Sequence, residues 1–205
     1  MWCHFCGGGD LEEIKGILTQ GGEFAELASR TCADAMASIM GCKKPVIAAV
    51  NGNAIGAGTA LAVCCDIIIA EERTKFAVPE LSVGFIGASE FIETLLPKRL
   101  ARYYVYTGKP ISAEVVKSHG GILDTAKDPE ELMEKAMAIA KDIAAQAPVA
   151  VSLFKKAMND NDDSRLKEKY LHEMELGLAH FYATQDANKI AAALDEKRAP
   201  VFTGK

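Results

Sequence analysis

The sequence predicts an α/β fold followed by a helical region. Residues 46–50 and 67–70 are uninterrupted apolar runs of strand length, as expected of strands that are covered on both faces. A glycine-rich turn and a short apolar helical pattern separate the two runs, which gives the order strand, turn, helix, strand. In the last third the apolar spacing is helical and no strand is predicted. We therefore expect an α/β core at residues 1–125 and a helical region at residues 126–205.

A helix and a strand are predicted ahead of the glycine turn. Apolar residues recur at spacings of three and four up to Gly41, where the helix is expected to end. The sequence Lys43-Lys44-Pro45 then separates this helix from the strand at residues 46–50. The predicted buried face of the helix consists of Phe24, Leu27, Ala28, Cys32, Ala35, Met36, Ile39 and Met40.

Short elements follow the second strand. Residues 76–78 form an extended piece, and Pro79 favours extended backbone before it, so Glu80 is expected on a loop or strand end. Asp128 and Pro129 open a later helix, because proline fits the first turn and acids favour its positive end. The remaining patterns predict helices at residues 90–96, 100–107 and 113–118, a strand at 122–123, and a long final helix with Leu166, Tyr170, Met174, Gly177, Leu178 and Phe181 on its apolar side.

Composition excludes several classes of function. The 205 residues carry a net charge of −5, so no positive surplus is present to bind nucleic acid or anionic lipid. The apolar runs are too short to span a bilayer and residues 1–10 do not resemble a signal peptide, so we expect no membrane partner and a cytoplasmic location. Cys3 and Cys6 have CxxC spacing, but no second pair completes a zinc site; no metal is expected.

The glycine turn is the most informative feature of the chain. The sequence NGNAIGAGTALAV contains three glycines and no charge, and it leads directly into the apolar helical pattern. That order exposes backbone N–H groups at a helix N-terminus, which suits an anionic oxygen. On this motif alone, glycines that serve only a tight turn remain the alternative.

Several motifs in order resemble the enoyl-CoA hydratase/isomerase family, also called the crotonase superfamily. These motifs are KPVIAAVNGNAIGAGTALAVCCDIIIA, FAVPELSVGF, TGKPISA and GGI, preceded by HFCGGGDLEEIK and followed by DANKIAAALDEKRAPVFTGK. The resemblance covers nearly the whole chain, apart from the strands that usually precede the first motif. It implies a crotonase-like spiral of ββα turns with a helical C-terminal trimerisation region, assembled as a homotrimer or a dimer of trimers.

The resemblance also implies the chemistry. The family acts on acyl-CoA thioesters, so coenzyme A arrives as part of the substrate and no separate cofactor is expected. The two backbone N–H groups that hold the thioester carbonyl map onto Gly9 and Ala57. They stabilise the enolate that forms next to the thioester, and losing one such donor typically costs about 3–4 kcal/mol. The neighbouring residues assigned to thioester binding are Gly8, Asp10, Gly56 and Gly58.

Glu80 is the predicted acid/base, because Pro79-Glu80 matches the Pro-Glu pair of the family. Family hydratases carry a second glutamate where this chain has Ala60, whereas family isomerases use a single glutamate. Glu90 is the candidate substitute for the missing carboxylate; alternatively, Glu90 and Glu93 form the solvated face of a helix. Hydration and a double-bond shift both remain open.

The predicted function is therefore an enzyme that hydrates or shifts a double bond next to a CoA thioester. Two alternatives remain. The same oxyanion hole would also serve a thioester hydrolase or a decarboxylase. A catalytically inactive family subunit is the other alternative, suggested by Ala60 and by the missing front of the fold.

Overall fold

The computed structural model describes residues 4–20, 22–162, 165–181 and 184–204. Cys3 of the CxxC pair and the side chain of Phe181 lie outside the described residues. A 3-10 helix, Glu80–Val83, follows the fifth strand. The other elements, in chain order, are β1 (His4–Cys6), α1 (Leu11–Gln20), α2 (Gly22–Met40), β2 (Ile47–Val50), β3 (Asn53–Ile55), α3 (Ala57–Val63), β4 (Ile67–Glu71), β5 (Lys75–Ala77), α4 (Ser89–Leu95), α5 (Lys98–Thr107), β6 (Ile111–Ser112), α6 (Ala113–Ser118), β7 (Asp124–Ala126), α7 (Pro129–Ala144), α8 (Pro148–Asp160), α9 (Leu166–Phe181) and α10 (Gln185–Asp195).

Two small sheets form the centre of the molecule. One has the strand order β1-β3-β5-β6 and is parallel except for the β5–β6 pair, and the other has the order β2-β4-β7 and is wholly parallel. The two apolar runs of the sequence pair side by side in the second sheet, with Ile47 opposite Ile67 and Val50 opposite Ala70. The predicted α/β fold is confirmed.

One strand was missed by the sequence analysis. The chain from Asn51 to the start of the helix was predicted as a glycine turn, but β3 lies inside it and pairs with both β1 and β5. It is short because Gly52 and Gly56 bracket it at φ values of +130° and +52°. Its first residue, Asn53, is of a type that strands disfavour, and here its Oδ1 accepts a hydrogen bond from Lys75 N at 3.1 Å.

The position of α2 is predicted correctly, and its buried face is predicted in part, because Met36 is buried and Cys32, Ile39 and Met40 pack against the core. The helix ends before Gly41 as expected, whereas Leu27 of the predicted face is 65% exposed. Ser29 is buried, and its hydroxyl donates to Ala25 O at 2.9 Å. Small side chains allow α2 to pack closely against α9. The face that carries them is therefore buried, whereas larger apolar residues such as Leu27 remain exposed. The buried residues of α2 are Ala25, Ser29, Ala33 and Met36.

The strand predicted at residues 122–123 lies two residues later, at β7. Its polar residues are held by charge, because Asp124 accepts from Lys117 Nζ at 2.5 Å and Lys135 Nζ at 2.7 Å. These contacts join charged side chains, so they have no apolar signature in the sequence. The next helix starts as predicted, with Asp128 Oδ1 accepting from Glu131 N at 2.8 Å.

Helices make up the rest of the described chain after β7, as predicted. Leu166, Tyr170 and Met174 bury the apolar side of α9 in the main core. Within the described ranges no single helix is long and apolar enough to cross a bilayer; α7 and α8 reach the required length and composition only together, and they are bent by 106°. The division at residues 125/126 and the cytoplasmic location remain predictions.

Candidate active site

The two glycine-rich segments of the sequence meet in space. A Cβ atom on Gly8, which has a φ of +97°, would lie 2.8 Å from Ile55 O and 3.6 Å from Ala57 N. A Cβ atom on Gly58 would lie 2.7 Å from Cys6 Cβ. Side chains at these two glycines would therefore force the segments apart. The absence of a side chain at both positions brings the loop after β1 against the start of α3.

Asp10 fixes the direction of the chain immediately after Gly9. Its Oδ1 atom accepts hydrogen bonds from Glu12 N at 2.8 Å and Glu13 N at 3.2 Å, which caps the N-terminus of α1. The carboxylate is therefore engaged in the fold. The predicted contact of Asp10 with the thioester remains a prediction.

Hydrogen bonds fix the turn that carries Ala57. Gly56 N donates to Ala77 O at 2.8 Å, and Thr59 Oγ1 donates to Ala54 O at 2.6 Å. Ala57 is the first residue of α3, and the first N–H groups of a helix have no acceptor inside it. Among the residues that the structure describes, neither Ala57 N–H nor Gly9 N–H donates to a protein acceptor. Both amides are thus available to a substrate oxygen.

Glu80 lies directly against the glycine turn. It is the first residue of the 3-10 helix, and a Cβ atom on Gly56 would overlap its Oε1 atom. The Oε2 atom is buried and has no hydrogen-bond partner among the described residues. Burial raises the pKa of Glu80 to about 7, with a smaller contribution from the charge of Glu173. Near neutral pH this carboxyl group exists in both protonation states.

The turn that carries Glu80 is supported from the far end of the chain. The 3-10 helix ends at Gly84, whose φ is +72°. A Cβ atom on Gly84 would lie 2.6 Å from both the Ile190 side chain and the Phe202 ring. The C-terminal segment therefore packs directly beneath the predicted acid/base.

A cavity of about 140 Å³ brings the predicted residues together. An apolar protein cavity of about 150 Å³ is large enough for benzene, so this one has room for a short acyl group. Gly9, Ala57 and Glu80 line it, as does Asp10. Its apolar lining includes Ile14, Ile17, Met36, Phe85, Tyr170 and Met174.

Glu90 lies outside this cavity. It is only 8% exposed, so the alternative that it belongs to a solvated helix face is wrong. It lines a second cavity of about 450 Å³, which Glu80 also lines. Ala60, where family hydratases carry their second glutamate, is fully buried in the core. A catalytic role for Glu90 remains a prediction.

The sequence analysis missed Glu173. Its Oε2 atom accepts a hydrogen bond from Ser89 N at 3.2 Å, which places its carboxyl group next to Glu90, and their interaction helps to raise the pKa of Glu90. The residue lies on α9, where glutamates and lysines flank an apolar face, so its sequence context resembles that of a solvated acid. Only the packing of α9 against α4 reveals its position.

Comparison with known proteins identifies the family. The family model described as enoyl-CoA hydratase/isomerase matches residues 3–205. The chain belongs to the enoyl-CoA hydratase/isomerase family. Its crotonase-like fold and its classification as an enzyme of the enoyl-CoA hydratase/isomerase type are confirmed.

Several relatives of the chain are named as hydratases. A probable enoyl-CoA hydratase of Mycobacterium leprae is 32% identical over 198 residues, which cover 91% of this chain and 76% of the relative. A 2,3-dehydroadipyl-CoA hydratase of Escherichia coli K12 is 30% identical over 205 residues, which cover 98% of this chain and 77% of the relative. The crystal structure of an enoyl-CoA hydratase from Bacillus anthracis, at 31% identity, superposes with a TM-score of 0.69 and covers 98% of this chain and 77% of that one. The chain thus spans about three quarters of the length of these proteins.

Proposed function

We propose that the protein hydrates the double bond of a 2-enoyl-CoA or shifts a 3-enoyl double bond into conjugation, with Glu80 as acid/base. The observation that carries the proposal is the position of Glu80. Its carboxyl group contacts the glycine turn and lines the same cavity as Gly9 and Ala57. A proton-transfer group and two available backbone donors therefore face one small, largely apolar space.

The backbone donors and the carboxyl group divide the chemistry between them. Gly9 N–H and Ala57 N–H would stabilise the negative charge that develops on the thioester oxygen. In hydration, Glu80 takes a proton from water while the water oxygen bonds to C3, and Glu80 then gives a proton to C2. In isomerisation, Glu80 removes a proton from C2 and returns it to C4. Coenzyme A is part of the substrate in both reactions, and no other cofactor is required.

Two observations favour different reactions. The relatives compared above are named hydratases, which supports hydration. Ala60 removes the usual second carboxylate, which supports a proton shift by Glu80 alone. The 140 Å³ cavity favours a short acyl group in either case.

The test is turnover of crotonyl-CoA and of a 3-enoyl-CoA, followed by the absorbance of the conjugated thioester. Hydration lowers this absorbance with the first substrate, and isomerisation raises it with the second. Replacing Glu80 by Gln should lower either activity by about 10²–10⁴-fold and leave acyl-CoA binding intact. Full activity in Glu80→Gln would contradict the proposed role.

The alternatives give different products in the same assay. Release of free coenzyme A thiol would indicate a hydrolase, and loss of carbon dioxide from a malonyl-type thioester would indicate a decarboxylase. No change with any substrate would support an inactive family subunit. The matched control is Glu93→Gln, because Glu93 is half exposed and is not part of the 140 Å³ cavity.

The exposed apolar residues of the helical region support assembly into a homotrimer or a dimer of trimers, as expected from the family. Large apolar side chains on the consecutive helices α7 and α8 are at least half accessible, which is unusual for a group of such residues. A second copy of the chain is the proposed partner of this surface. The residues concerned are Met133, Met137, Val149, Leu153, Phe154 and Met158.

A further inference from the structure

A second cavity lies on the other side of Glu80 from the glycine turn. Its volume is about 450 Å³, and it is lined by residues of the 3-10 helix, α4, α5 and α9. Neither Gly9 nor Ala57 lines it. Glu80 and the backbone around Phe85 and Gly87 form the wall that it shares with the acyl cavity. Glu80 is therefore accessible from two separate spaces.

The second cavity contains two neighbouring carboxyl groups. Glu90 is more than nine-tenths buried, and its Oε1 atom has no hydrogen-bond donor among the described residues. Glu173 is partly exposed, and its Oε2 atom accepts from the N–H of Ser89, the residue before Glu90, at 3.2 Å. Burial and the interaction with Glu173 raise the pKa of Glu90 well above its usual range. The pair therefore carries an exchangeable proton at neutral pH, in a cavity that Glu80 also lines.

Charged and polar groups surround the pair on each packed element. Lys169 and His172 lie on α9, Glu93 on α4 and Tyr106 on α5, and all four line the cavity. His172 and Tyr106 are exposed to solvent. The cavity thus extends from the buried acids to the surface, and its volume is sufficient for several water molecules.

We propose that Glu90 and Glu173 form a proton relay that exchanges the proton of Glu80 with solvent through the second cavity. The proposal rests on the proposed role of Glu80 as acid/base. When Glu80 has taken a proton from substrate carbon, that proton passes through water to the ionised member of the pair. At the mouth near His172 the pair exchanges this proton for one from solvent, and it then returns the solvent proton to Glu80, so that the pair ends with the single proton it began with. No bond other than O–H bonds changes in these steps.

When substrate fills the acyl cavity, protons cannot pass between Glu80 and solvent through that cavity. The proposed relay provides a separate path for them. Ala60 removes the carboxylate that would otherwise share proton transfer from the opposite side. With Glu80 alone, a proton taken from substrate would be trapped until product left. With the relay, it is replaced from solvent during the lifetime of the complex.

The experiment measures exchange of the C2 hydrogens of butyryl-CoA in D2O by NMR. Butyryl-CoA has no double bond, so proton removal and return are the only steps that Glu80 can perform on it. Wild-type protein should incorporate deuterium, and Glu80→Gln should not. The double variant Glu90→Gln/Glu173→Gln should exchange at least tenfold more slowly, a larger loss than its loss of turnover in the crotonyl-CoA or 3-enoyl-CoA assay.

Other variants and readouts separate the relay from a structural role. Glu93→Gln changes an acid in the same cavity and should exchange at the wild-type rate. Gln keeps the size of Glu and its carbonyl still accepts from Ser89 N, so thermal unfolding should show that the double variant is folded. Exchange at the wild-type rate in the double variant, or equal losses of exchange and turnover in it, would overturn the relay.

The wild-type protein itself distinguishes the two proposals. If it turns over substrate but does not exchange the C2 hydrogens, only the relay is overturned. If it does neither, the proposed function is overturned as well.

Discussion

A Cβ atom on Gly56 would overlap the Oε1 atom of Glu80. The glycine that shapes the glycine turn therefore also leaves the space that the carboxyl group of Glu80 occupies. Backbone conformation and side-chain position are set by the same residue, since Gly56 has a φ of +52°.

Substitution of this glycine tests the relationship. Gly56→Ala should displace the Glu80 carboxyl group and lower kcat by about 10²-fold, because a small misplacement of a catalytic group has a cost of this size. Gly120→Ala is the matched control, since Gly120 has a φ of +79° and a methyl group added there would have no atom within 4 Å. Equal losses of stability with a loss of activity only in Gly56→Ala would confirm that the overlap is responsible. Normal kcat in folded Gly56→Ala would contradict it.

The pH dependence of activity should report Glu80. Its pKa is raised to about 7, and the carboxylate is the form that accepts a proton. The value of kcat/KM should therefore rise with pH and reach a plateau above about pH 7. Rate measurements from pH 5 to pH 9 check this, and a plateau that already begins near pH 5 would exclude Glu80 as the titrating base.

The same burial makes Glu80 a source of instability at neutral pH. The folded protein holds its proton more tightly than the unfolded chain, so the stability contributed by the protonated group is present below about pH 4.5 and is lost as the pH rises to about 7. A rise in the pKa of Glu80 from 4.5 to about 7 corresponds to a loss of about 3 kcal/mol at most in the free energy of unfolding. Glu80→Gln should therefore unfold at a higher temperature than wild type at pH 8, and the difference should shrink at pH 4.5. A constant difference at both pH values would argue against this explanation.

An ion pair with a buried lysine should contribute to the attachment of α8. Lys155 Nζ lies 2.7 Å from Asp66 Oδ2, and the lysine side chain is 5% exposed whereas that of Asp66 is 27% exposed. Asp66→Ala leaves the buried ammonium group without its anion and should reduce the free energy of unfolding by about 3 kcal/mol, measured by urea denaturation. The control is Asp160→Ala, because Lys156 and Asp160 form an exposed pair that contributes little. Similar midpoints for both variants would show that the pair with Lys155 adds no net stability.

The apolar surface of α7 and α8 should decide the oligomeric state. Wild-type protein is expected to have the mass of three or six copies in light scattering. Charges at Leu153 and Phe154, as in Leu153→Lys/Phe154→Lys, should yield smaller species without loss of helical structure. Leu123→Lys alters an equally exposed apolar residue elsewhere and should leave the mass unchanged. A monomeric wild type would contradict the proposed assembly.

The sequence predicts the parts of the fold whose signal is local. The two apolar runs became paired strands, and Asp128 with Pro129 marked the start of α7. The motifs that carry the family resemblance also placed Gly9, Ala57 and Glu80, and the structure brings these three residues to one cavity. Their catalytic roles remain a prediction.

Features that depend on contacts between distant segments were not predicted. The short strand β3 is held by partners on both sides rather than by its own residue types. Small residues face inward on α2 because α9 packs closely there, which no apolar count along one helix reveals. Glu173 lies next to Ser89 and Glu90 because α9 packs against α4.

The packing of Phe202 and Ile190 against Gly84 has a consequence for biosynthesis. Glu80 leaves the ribosome long before these residues, so the nascent chain carries the turn at Glu80 without its support until Ile190 and Phe202 have been synthesised. Contacts that join such distant positions also slow folding. Polypeptides released early by premature termination would therefore retain the sequence motifs of the enzyme without the rigid geometry that the motifs require.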